Sequence, residues 1–101
     1  MQLSEFNSII AENGVVLVDC WANWCPHCIA LMPQVDALSK EVTGKAKILK
    51  VNVEEAIEFA SQFSISSLPT FLIFKNGDLV DRFNGSTTAF ELKKRVISAL
   101  E

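Results

Sequence analysis

The stretch Val15-Val16-Leu17-Val18-Asp19-Cys20-Trp21-Ala22-Asn23-Trp24-Cys25-Pro26-His27-Cys28 joins an apolar run to two cysteines three positions apart. Val15 to Trp21 reads as a buried strand: short, rich in valine and interrupted by a single charge. Pro26 then occupies a slot in the first turn of a helix, where its missing N–H costs little. At such a strand-to-helix junction Cys25 and Cys28 can close a small disulfide ring. The unpaired N–H groups of the helix's first turn favour a thiolate on it. The pattern points to thiol–disulfide exchange.

Outward from this stretch, the helix runs from Pro26 to about Val42, with a kink expected at Pro33 and a stop at Gly44. Ala46 to Val53 alternates as a second strand, reached across a helix and therefore expected parallel to the first by a right-handed crossover. Glu54-Glu55 opens a short helix through Phe63, and Ser64 to Leu68 is a loop before Pro69. Thr70 to Phe74 and Leu79 to Phe83 flank Lys75-Asn76-Gly77-Asp78, whose Asn-Gly pair signals a hairpin. A first helix is expected from Leu3, Phe6, Ile9 and Ile10, ending at Asn13-Gly14. The last helix carries a capping box, Thr88 with Glu91, and buries Leu92, Val96, Ala99 and Leu100. This order of elements predicts an α/β fold, a mixed sheet covered by helices on both faces.

With 101 residues, half of them hydrophobic, the chain has the length of one domain, residues 1–101. A net charge of −3 and a basic cluster no larger than Lys93-Lys94-Arg95 argue against nucleic acid or an anionic membrane as partner. Neither a leader-like amino end nor a spanning apolar run is visible, so a cytoplasmic location is expected. Three cysteines are too few for a disulfide framework. Read as half a zinc site, the CxxC falls short: tetrahedral zinc needs about four ligands, and only Cys20 and His27 remain to complete the set. Ile29 after the second cysteine excludes a haem-attachment motif. Neither a metal nor a bound cofactor is expected.

The ordered set Val18-Asp19-Cys20-Trp21-Ala22-Asn23-Trp24-Cys25, the CxxC, Pro33, Lys50, Leu68-Pro69-Thr70, Lys75-Asn76-Gly77 and Gly85 resembles the thioredoxin family from about Phe6 to the C-terminus. The resemblance implies a thioredoxin fold, a central mixed sheet of about five strands flanked by four helices. In it the CxxC lies at a helix N-terminus and faces a cis proline, here Pro69. It also implies an oxidoreductase acting on disulfide-containing proteins as a monomer, with a thioredoxin reductase as electron donor. Three departures stand out. The family's usual Gly-Pro between the cysteines is Pro26-His27, a pair resembling the oxidising periplasmic members of the superfamily. Ile29 replaces a frequent lysine. The short amino end leaves the family's first strand only Met1 to about Leu3, short or missing.

Cys25 is expected to be the exposed nucleophile and Cys28 the resolving thiol that attacks the mixed disulfide. His27, the only histidine, stands where the family has proline and can place a donor or positive charge near Cys25. A potential between the reducing and the oxidising extremes is therefore expected. Asp19 interrupts the strand as a buried proton acceptor for Cys28, working through water, with Lys50 on the neighbouring strand as its charge partner. Trp24, Pro26, Ile29, Leu68, Pro69 and the Asn84-Gly85-Ser86 turn form the expected substrate-contact patch, where the backbone of Leu68 can pair with an extended segment. Trp21 is read as packing, Cys20 as a small core hydrophobe, and Lys93-Lys94-Arg95 with Glu54-Glu55 as solvated faces. Against reduction of protein disulfides stand an oxidant or isomerase role, a non-catalytic binding module of the same fold, and a metal carrier.

Overall fold

A computed structural model describes residues 1–85 and 87–101. Among these, helices and strands follow as α1 (Leu3–Glu12), β1 (Val15–Trp21), α2 (Pro26–Glu41), β2 (Lys47–Asn52), α3 (Ile57–Gln62), β3 (Thr70–Lys75), β4 (Asp78–Asn84) and α4 (Ala89–Leu100). The sheet has the order β2-β1-β3-β4. β1 is parallel to β2 and antiparallel to β3, and β3 is antiparallel to β4. This is the mixed, helix-flanked sheet of the thioredoxin fold, with four strands. Among the described residues no strand precedes α1, because Leu3 already opens that helix.

Alternation along β1 sorts its side chains to the two faces. Val15 and Leu17 join Leu31, Val35, Leu38, Phe71, Ile73, Leu92 and Val96 under α2 and α4. Val16, Val18 and Cys20 join Phe6, Val51, Phe59, Leu72 and Phe74 under α1 and α3. Phe6 is the anchor of α1: it is fully buried, with edge-on contacts to Phe59, Phe63 and Phe74 at centroid distances of 4.8, 5.6 and 5.2 Å. Aromatic packing of this kind adds to the area term.

Two local expectations need correction. Glu54 and Glu55 lie in a turn before α3, because Asn52 Oδ1 accepts the Glu54 N–H at 2.9 Å and its carbonyl accepts from Glu55 and Ala56. The side chain outcompetes a helix start there. At α4 only half of the capping box forms: Thr88 Oγ1 accepts from Glu91 N at 3.1 Å, while the Glu91 carboxylate turns to Arg95. The β3–β4 hairpin turns through Asn76 (φ 52) and Gly77 (φ 88), the left-handed pair that a two-residue hairpin demands. Ser86, expected in the rim turn, lies outside the described residues.

Candidate active site

The ladders end together. Trp21 pairs with Asn52, Cys20 with Thr70, and Thr70 with Asn84. The segments after Trp21, before Thr70 and after Asn84 therefore meet at one end of the sheet. That end carries the cysteines, Leu68-Pro69 and Gly85. Ligand sites in α/β sheets favour the carboxyl ends of parallel strands, where β1 delivers its loop.

Cys25 is the N-cap of α2, in extended conformation, and its Sγ accepts from Cys28 N at 3.2 Å. Its own N–H goes to the Ala22 carbonyl at 3.2 Å and its carbonyl accepts from Ile29 at 3.1 Å. The two sulfurs are joined as a disulfide with the Cα atoms 5.3 Å apart. A negative charge on the Cys25 sulfur in this position would gain that N–H as a hydrogen-bond donor and the favourable end of the helix dipole.

The exposure of Cys25 departs from expectation. The residue is 5% exposed and Cys28 1%, whereas Trp24 is 65% and Ile29 45% exposed. Cys25 is tied into the turn by its backbone and capped by its partner sulfur, and its neighbours Trp24, Pro26, His27 and Ile29 carry the accessible surface. Exchange requires a line of approach to one sulfur rather than exposure of the whole residue. The cysteine is thus recessed in an apolar rim.

The Leu68–Pro69 peptide bond is cis. Pro69 is buried, and its carbonyl accepts from Gly85 N at 3.0 Å, which brings Gly85 to the same rim. The ladder to β1 starts only at Thr70, leaving Leu68 beyond it. Four hydrogen bonds from three side chains, which the sequence does not signal, hold this loop. Arg82 donates to the carbonyls of Phe63 and Ser64, Asn84 Nδ2 donates to Ser67 Oγ at 2.8 Å, and Thr70 Oγ1 donates to Ser67 O at 2.6 Å.

Asp19 shares the sheet face of Leu17, toward α2, and is 1% exposed with Oδ1 lacking a hydrogen-bond partner among the described residues. Burial pushes its carboxyl up from the usual 3.8 to about 7; Lys50 pulls it down and Asp36 adds to the rise. Lys50 is level with Asp19 on β2, yet its ammonium is paired elsewhere, with Asp36 Oδ1 on α2 at 2.6 Å. The expected Asp19–Lys50 partnership is therefore a through-space influence without contact. The Cys20 thiol, buried on the opposite face, is pushed up to about 12 by burial and by Asp19, which suits an inert core thiol. Among the described residues no three His, Cys, Asp or Glu side chains cluster as a metal site would, and no helix is long and apolar enough to cross a membrane.

A family model described as Thioredoxin matches residues 1–98. The chain belongs to the thioredoxin family. It is 39% identical to a thioredoxin of Staphylococcus epidermidis over 98 residues, covering 97% of this chain and 89% of the relative. Identity to a thioredoxin of Rickettsia felis is 44% over 79 residues, 77% of this chain and 75% of the relative. A solved thioredoxin from Plasmodium falciparum superposes with a TM-score of 0.89 at 37% identity, covering 96% of this chain and 93% of the other. Thiol–disulfide chemistry at Cys25 and Cys28, and with it oxidoreductase activity, follows from that membership together with the closed cysteine pair.

Proposed function

We propose that this thioredoxin-family chain is a cytoplasmic protein-disulfide reductase. It works as a monomer without a bound cofactor, is recharged by a thioredoxin reductase, and has a potential shifted toward the oxidising side by its Pro26-His27 pair. The observation that carries this reading is Cys25 as N-cap of α2, its sulfur receiving the Cys28 N–H. The Cys25 thiolate attacks one sulfur of a substrate disulfide; a mixed disulfide forms and the other substrate sulfur leaves as a thiolate. Asp19 accepts the Cys28 proton through a water, and the Cys28 thiolate attacks Cys25 Sγ. The substrate's second sulfur is expelled, and the pair ends oxidised with two electrons passed on. Trp24, Pro26 and Ile29 form the apolar landing surface, Leu68 supplies the extended backbone beside Pro69, and Gly85 leaves the rim low. His27 is exposed on the helix's first turn, where a positive charge or donor favours the thiolate.

Insulin reduction driven by dithiothreitol tests the activity. Acceleration over dithiothreitol alone is expected; its absence would leave a binding module of the same fold. The Cys25–Cys28 potential measured against glutathione then decides between reductase and oxidant.

A further inference from the structure

Lys50 has two carboxylates within its reach and takes the outer one. Register on β2 sets it level with Asp19, while its Nζ lies 2.6 Å from Asp36 Oδ1 on α2. The side chains of Lys50 and Asp36 are 41% and 55% exposed, so a pair of this kind contributes little to stability. Its consequence is positional: the ammonium is drawn to the solvent edge of α2, and Asp19 Oδ1 keeps no partner among the described residues.

We propose that Asp36 is a positioning residue for the exchange reaction: by anchoring the Lys50 ammonium at the rim, it keeps that cation off Asp19 and so preserves the carboxylate as a base for Cys28. The proposal rests on the reading of Asp19 as proton acceptor. The groups packed around Asp19 leave Asp36 and Lys50 as the controlling charges. Phe71, its partner on β3, is uncharged, and Leu92 and Val96 of α4 are apolar. Lys93 of α4 pairs with Glu41, and Cys20 occupies the opposite face; α2 also carries His27, Lys40 and Glu41, but of its charges it is Asp36 that acts on the Asp19 carboxyl. Asp36 raises the Asp19 carboxyl and Lys50 lowers it, in agreement with this geometry.

The test follows the Asp19 carboxyl by carbon-detected NMR titration and, in parallel, the pH profile of mixed-disulfide resolution in single-turnover stopped flow. In Asp36→Asn the released ammonium swings inward, and both midpoints are expected to fall by about one pH unit, a tenfold loss of basicity. Asp36→Glu should restore them. In a Lys50→Met background, Asp36→Asn should move the carboxyl by less than half as much. An unmoved carboxyl midpoint overturns the proposal, and so does an equal fall with and without Lys50. A carboxyl midpoint that falls while the resolution profile stays in place upholds the hold of Asp36 on Lys50 and overturns instead the role of Asp19 as acceptor.

Discussion

Replacing Asp19 by Asn is expected to stabilise the fold, by an amount that grows with pH. In the unfolded chain the carboxyl titrates near its usual 3.8, and in the folded protein at about 7. Between these values the folded state holds the proton more tightly, so stability is fully present below 3.8 and drains away as pH rises toward 7. The rise of about 3 pH units corresponds to about 4 kcal/mol at 1.36 kcal/mol per unit. Because Asp19 is 1% exposed, solvent screening does not dilute that figure. Asn has nearly the same shape and does not ionise, and the titrations of all other groups cancel in the difference between the two proteins. Urea unfolding of both at pH 3.5, 5, 7 and 9 reads the effect as a shift in midpoint. The stabilities should nearly coincide at pH 3.5, differ by about 2 kcal/mol at pH 5, and reach the full difference of about 4 kcal/mol by pH 8 to 9. A difference independent of pH, or one largest at the acid end, would refute the reasoning, since it would mean that ionised Asp19 carries no desolvation cost.

Cys28→Ser should arrest the reaction at the mixed disulfide on Cys25, seen as a covalent adduct by intact-mass measurement; Cys25→Ser should form none. His27→Pro should move the thiolate absorbance titration of Cys25 upward and make the couple more reducing by about 30 mV for each pH unit of that movement; an unchanged titration removes His27 from the mechanism. Phe6→Ala, which empties the centre of the aromatic cluster with Phe59, Phe63 and Phe74, should cost about 3–5 kcal/mol in urea unfolding. Trp24→Ala, at a residue 65% exposed, should leave stability within about 0.5 kcal/mol of the parent while weakening protein substrates in KM.

Much of this protein is legible along the chain because its signals are local. The valine-rich run of β1, the proline at the first turn of α2, the Asn76-Gly77 hairpin and the Thr88 cap are each decided within a few residues by backbone sterics and by which N–H groups lack partners. The cysteine spacing belongs to the same class: one helical turn brings two thiols within bonding reach, wherever the rest of the chain goes. The opening of α3 differs from the expected one for an equally local reason, since the side chain of Asn52 takes an N–H that a pattern of acidic and apolar residues assigns to a helix.

The order of elements, the mixed sheet and the identity of the redox pair thus follow from the residues along the chain. The fold in three dimensions set the environment of those groups: the recessed position of Cys25, the Asp19 Oδ1 left without a partner among the described residues, the diversion of Lys50 to Asp36, and the ties from Arg82 and Asn84 to the loop before Pro69. Each depends on which groups from distant segments end up a few ångströms apart and out of water. Burial and Coulomb energies vary steeply over those distances, while the order of residues along a chain carries no measure of them.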